Sequence, residues 1–133
     1  IAGNSLFTVD IRSPDINKLV KMENELKQMT TDICKKYKIE FEMDQIGGFD
    51  PVAFDKECLN NIRNSAKKFG YSHKDIVSGA GHDACWINTV APSAMIMCPC
   101  VDGLSHNEAE EIKPEWASSS TNVMLHAAIA SAT

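Results

Sequence analysis

Residues 4–44 read NSLFTVDIRSPDINKLVKMENELKQMTTDICKKYKIEFEMD, and the reading of this stretch decides the fold class. From Asn4 to Arg12 apolar and polar residues alternate, with Phe7, Val9 and Ile11 to one side and Leu6, Thr8, Asp10 and Arg12 to the other. That is the two-residue period of a β-strand. Ser13-Pro14-Asp15 breaks the pattern, and Asp15 is placed to cap the free amides of a helix. From Ile16 to Tyr37, Leu19, Met22, Leu26, Met29 and Ile33 recur at steps of three and four, one face of an amphipathic helix. Ile39 to Asp44 alternates again, and Gly47-Gly48 ends the run. Strand, helix, strand predicts an α/β arrangement, either a right-handed crossover or half of a split β-α-β layer.

Outward from this stretch, Gly47-Gly48-Phe49-Asp50-Pro51 is turn-prone and marks the best candidate for a domain boundary. Leu59, Ile62, Ala66 and Phe69 then trace a second amphipathic helix, which Gly70 ends. A loop over 71–81 leads to a short helix near His82 to Val90 and an apolar run, Ser93 to Cys98, with the character of a buried strand. Residues 99–113 read as loop. Pro114 opens a last helix through Val123, Leu125 and Ala128, although the run Ser118 to Thr121 is poor helical sequence.

The composition excludes several classes of function. A length of 133 residues, 44% hydrophobic and 23% charged, is that of a globular domain with a core to bury. A net charge of -5, with no basic run longer than Lys35-Lys36 or Lys67-Lys68, argues against nucleic acid or an anionic membrane as partner. No apolar run approaches the roughly 20 residues of a membrane span. The five cysteines, Cys34, Cys58, Cys85, Cys98 and Cys100, are odd in number and lack C-x-x-C spacing, which points to reduced thiols and a cytoplasmic location. Cys98-Pro99-Cys100 places two thiols on one face of a strand, either for metal or redox work or as small buried hydrophobes.

Two histidines stand in loops that invite chemistry. His82 follows Gly79 and Gly81 at a strand-to-helix junction, where backbone amides can approach an anion and an imidazole can donate to a developing oxyanion. The alternative is a solvent-facing loop histidine. His106 lies in DGLSHNEAEE, residues 102–111, just past a predicted strand end where α/β enzymes keep their ligands, and imidazole is a common ligand for zinc. Glu108, Glu110 and Glu111 read more simply as the solvated acidic entry to a helix. Arg12 closes the first strand, where its guanidinium can grip a carboxylate or pair with Asp10 or Asp15. His73 and His126 read as structural.

Three stretches together, AGNSLFTVDIRSPD (2–15), SGAGHDA (78–84) and DGLSHNEAE (102–110), resemble the amidase branch of the M20 metallopeptidase-like family. That branch holds N-carbamoyl-L-amino-acid hydrolases, β-ureidopropionases and allantoate amidohydrolases. The resemblance implies an α+β lid half over residues 1–50, belonging to a domain that also dimerises, followed over 51–133 by the C-terminal part of an M20-type α/β catalytic domain. The chain then looks like the last third of such an enzyme, inactive by itself. The resemblance also implies two divalent metal ions per complete subunit, drawn from zinc, manganese, cobalt or nickel, that deprotonate a water. By the same resemblance, His106 is the final metal ligand, Arg12 binds the substrate carboxylate, Gly81 offers a backbone amide to it, and His82 binds substrate as a catalytic residue beside the scissile amide. The other ligands and the general-base glutamate would lie upstream of Ile1. The implied partners are a small carboxylate-bearing substrate and a second copy of the chain. An N-carbamoyl amino acid is the substrate favoured, with allantoate, or a non-catalytic dimerisation module, as alternatives.

Overall fold

Asp15 turns its carboxylate back over the residues that follow it, and Oδ1 accepts from the amides of Asn17 at 2.9 Å and Lys18 at 3.3 Å. This cap starts α1, Ile16–Tyr37. The helix ends at Lys38, whose φ of 56° is left-handed, and the amide of Ile39 reaches back to the Cys34 carbonyl at 2.9 Å. Glycine is favoured at such a position because it has no Cβ to clash. The computed structural model of the chain describes residues 2–132, and it divides into two units, Ile1–Val52 and Ala53–Thr133.

In the first unit α1 buries none of its residues. Leu19, Leu26 and Cys34 are half-buried, but Met22, Met29 and Ile33 on the same predicted stripe are exposed, Met29 to 62%. The stripe exists as the spacing predicts, yet only one edge of it is covered. Leu6, at 99% exposure, has no cover at all.

The second unit is built on a helix pair. Asp55 caps α2, Lys56–Lys68, by accepting from the Cys58 amide at 2.8 Å. Gly70, with φ of 69°, lets the chain turn back so that the Tyr71 amide bonds the Ala66 carbonyl at 3.0 Å. A single turn, α3 (Asp83–Ile87), and a 3-10 turn over Val101–Gly103 precede α4, Pro114–Ser131. α2 and α4 pack antiparallel. Asn61 near the start of α2 donates to the Ser131 hydroxyl at the end of α4 at 3.0 Å, while Phe69 at the other end lies 4.6 Å from the His126 ring, and Asn122 donates to the Tyr71 hydroxyl at 3.2 Å. Ser65, Ala66, Val123 and Ala127 are the buried residues of this pair. The ring contact gives His126 the structural place that the sequence suggests. α4 also carries exposed Met124, Leu125 and Ile129, so it is apolar on more than the face that meets α2.

The polar run in α4 does not break it. The hydroxyls of Ser119 and Ser131 donate to the carbonyls of Trp116 and Ala127, both at 3.0 Å, which absorbs them into the helix. At its start Lys113 places its ammonium 4.8 Å from the Trp116 ring centre.

The strands expected over 4–12, 39–44 and 93–98 are not formed among the described residues, so the α/β expectation is not confirmed in this chain, whose regular structure there is helical. A helix satisfies its amides from within its own segment, whereas a strand exists only when a neighbour completes the ladder. Here the apolar run after Ser93 is tied by a single backbone bond, from the Asp55 amide to the Ser93 carbonyl at 2.9 Å. Alternation records a fit to a pleated, half-covered surface and does not supply the partner. No helix among the described residues is long and apolar enough to cross a membrane.

Candidate functional site

The loop before α3 folds tightly on itself. The Ala80 amide donates to the Ser78 hydroxyl at 3.2 Å, and the same oxygen lies 2.7 Å from Nε2 of His82. Gly79 faces open space where a side chain would stand. His82 is half-buried at the head of α3, and its carbonyl accepts from the Cys85 amide at 2.9 Å. Since α3 is five residues long, it offers no more than one turn of aligned peptide dipoles, so an anion site built on a helix start is not supported here. What remains is a histidine ring held from one side by a hydroxyl.

The second loop is closed at its base by the Val101 amide, which donates to the Glu111 carbonyl at 2.8 Å. Within it Asp102, Gly103 and His106 all have left-handed backbone, with φ of 54°, 69° and 56°. Aspartate and histidine are among the few residues that enter that region at modest cost. Glu110 sets the turn around His106. One of its carboxylate oxygens accepts from the His106 amide at 2.8 Å, and the other faces the Cys100 thiol at 3.8 Å. Burial pushes the Cys100 thiol above its ordinary value, and the Glu110 charge adds to this. The acidic run is therefore not a helix entry: α4 begins only at Pro114, and Glu110 is a brace inside the loop.

In the first unit Arg12 is engaged by Asp10. Nε donates to both carboxylate oxygens at 3.0 Å, and Nη2 also donates to Oδ2. The guanidinium beside Asp10 holds its carboxyl below the usual value. The fork expected to grip a substrate carboxylate thus has a carboxylate of the chain in it. Gly81 and His82 stand next to each other, His106 lies in the other loop of the same unit, and Arg12 belongs to the first unit.

Sequence reasoning passed over Ser78 as a partner and read Glu110 as part of a solvated helix entry rather than as a brace in the loop. Both clamps have the same span, Ser78 to His82 and His106 to Glu110, four residues each. That spacing of a polar oxygen around a loop histidine is the signal that was available. A cleft of about 380 Å³ over Ala53, Asp55 and Asn88 to Pro92 contains none of these residues, and its carboxylate, Asp55, is spent on the α2 cap.

Residues 4–130 match the family described as Peptidase family M20/M25/M40. The chain belongs to this family. Among the curated relatives of this M20 chain, an N-carbamoyl-L-amino-acid amidohydrolase of Rhizobium meliloti is 49% identical over 132 residues, 99% of the chain and 32% of the relative. An allantoate amidohydrolase of Escherichia coli K12 is 30% identical over 110 residues, 83% of the chain and 27% of the relative. Among solved structures, an amidase of the hydantoinase/carbamoylase family from Burkholderia multivorans superposes with a TM-score of 0.81 at 47% identity, covering 86% of this chain and 28% of that one. The M20 chain therefore spans about a third of the length of the relatives it matches.

The donors of these residues alone do not fit a divalent ion. The described residues contain no group of three or more His, Cys, Asp or Glu side chains able to hold a metal, and the Glu110 carboxylate that turns back to His106 is occupied by an amide and a thiol. An ion needs three or four ligands, so His106 is at most one of a set.

Proposed function

We propose that the protein to which these residues belong is a metal-dependent amidohydrolase that cleaves an N-carbamoyl amino acid to the amino acid, ammonia and carbon dioxide. The observation that carries this reading is the 49% identity, over nearly the whole chain, to a relative named N-carbamoyl-L-amino-acid amidohydrolase. In this reading residues 51–133 are the C-terminal part of an α/β catalytic domain, and residues 1–50 are half of a lid through which two copies pair in the cytoplasm. The apolar runs over 4–12 and 93–98 then join sheets completed by chain outside these residues.

His106 is one ligand of a pair of divalent ions whose remaining ligands also lie outside these residues. Arg12 binds the substrate carboxylate by exchanging it for Asp10, the Gly81 amide faces the same carboxylate, and His82 donates to the oxygen of the scissile group as negative charge develops there. The 30% identity to an allantoate amidohydrolase supports a second reading, in which the substrate is a diureido acid.

The test is turnover of N-carbamoyl-L-amino acids, N-carbamoyl-β-alanine and allantoate by the full-length protein, with metal content measured in parallel. The expected result is preference for an N-carbamoyl amino acid, and a fall in metal per subunit in His106→Ala. Preference for allantoate selects the second reading, and full metal occupancy in His106→Ala removes that ligand from the scheme.

A further inference from the structure

We propose that Ser78 is a positioning residue that fixes the tautomer of His82, donating its hydroxyl proton to Nε2 so that the ring keeps its own proton on Nδ1. The proposal deepens the reading of His82 as the donor to the scissile group and rests on it.

The argument begins with what a serine oxygen can do. It has one proton to give and two lone pairs to accept with. One lone pair is taken by the Ala80 amide at 3.2 Å, which fixes Oγ against the turn of its own loop. The 2.7 Å contact with Nε2 of His82 is short enough for a well-made bond to a hydroxyl. A neutral imidazole carries its proton on one nitrogen, and the partner of the other nitrogen selects which. With Nε2 accepting from Ser78, Nδ1 bears the hydrogen and the ring offers a donor on the side away from the serine. With Nε2 donating to Ser78 instead, Nδ1 would offer a lone pair to a developing oxyanion, and the two would repel.

The loop is made for this contact. Ser78 and His82 are four residues apart in a segment where Gly79, Ala80 and Gly81 leave no side chain larger than a methyl between them. The backbone at His82, with φ of -136° and ψ of 152°, is extended. Its carbonyl is already used by the Cys85 amide, so the backbone is anchored to α3 while the ring is anchored to Ser78. Two independent bonds thus hold one histidine, one at each end of the residue. Neither involves a charged group, so the arrangement is insensitive to salt.

The experiment is nitrogen-15 spectroscopy of the protein labelled at histidine, with the His82 signals assigned by their loss in His82→Asn, alongside steady-state kinetics of the full-length protein. The wild type is expected to show His82 protonated at Nδ1. Ser78→Ala is expected to release the ring to the mixture of tautomers seen for free histidine and to lower kcat by roughly tenfold, the loss expected of one hydrogen bond, with KM unchanged. Ser78→Thr, which keeps the hydroxyl, is expected to restore both. A wild-type ring protonated at Nε2, or a tautomer unmoved in Ser78→Ala, overturns the proposal. If the tautomer moves as expected while His82→Asn keeps full turnover, the role of Ser78 stands and the reading of His82 as a substrate donor falls.

Discussion

α1 is the longest helix of the chain, at 22 residues, and buries none of them, while α2, at 13, buries Ser65 and Ala66 against α4. Both helices have an aspartate cap and a stripe of apolar residues, so the difference does not come from helical sequence. It comes from what lies on the stripe. α2 meets α4, which brings Val123 and Ala127 to a shared core, while the stripe of α1 is covered along the Leu19 and Leu26 edge and left open along Met22, Met29 and Ile33. Periodicity specifies that a helix will have an apolar face, and packing decides whether that face contributes to stability.

The sharpest way to break this comparison is to place a charge on each face. Ala127→Asp, at a position 7% exposed, is expected to cost roughly 3 kcal/mol or more, because an unpaired carboxylate is forced between α2 and α4. Met29→Asp on α1 is expected to change stability by less than about 0.5 kcal/mol. Denaturant titration of each variant checks both. An equal loss from Met29→Asp would mean that the open edge of α1 is covered in the protein.

Acid sharpens the comparison next. Asp55 is held below its usual value of 3.8, chiefly by the Cys58 amide, and Asp75 is lowered by the Arg63 guanidinium, which it meets at 2.7 Å and 3.0 Å. Carboxylates with depressed folded values stabilise fully above the unfolded value, and the contribution is lost as pH falls through the folded one. The second unit is therefore expected to lose stability as pH falls below about 4, the unfolded value. Asp55→Ser, which keeps a capping oxygen but cannot titrate, is expected to shrink that loss in thermal melts taken between neutral pH and pH 3. Asp10 is also lowered, but by Arg12 only two residues away, a pair that the unfolded chain can form as well, so Asp10→Asn is expected to leave the acid response unchanged.

A further comparison concerns how the two helices end. α1 closes on Lys38 in the left-handed region and α2 is followed by Gly70 in the same region. Lys38→Gly is expected to stabilise by about 1 kcal/mol and Gly70→Ala to destabilise by about the same, read as opposite shifts in midpoint.

How much of this was legible followed the range of the interactions. Asp15, the steps of three and four from Leu19, Pro114 and Gly70 are local signals, and the helices they mark all formed. The alternation at Phe7, Val9 and Ile11 was equally plain, but a ladder is a non-local object, and among the described residues no second strand answers it. In the site, His82 and His106 stood out by their glycine-rich and oxygen-rich loops. Their clamps did not, because Ser78 reads as one more turn residue and Glu110 as one of three acids before a helix. Only the folded loop shows that one carboxylate turns back to an amide and that one hydroxyl turns forward to a ring.

The placement of the indoles has a consequence for how these regions can be watched. Both tryptophans of these 133 residues, Trp86 and Trp116, lie beyond Val52, one at α3 and the other under Lys113 at the head of α4. The indole emitters of this chain therefore all belong to the second unit, whereas circular dichroism sums every helix, α1 included. A difference between the two signals along one titration marks helix lost or kept where the indoles of the second unit do not register it, α1 included.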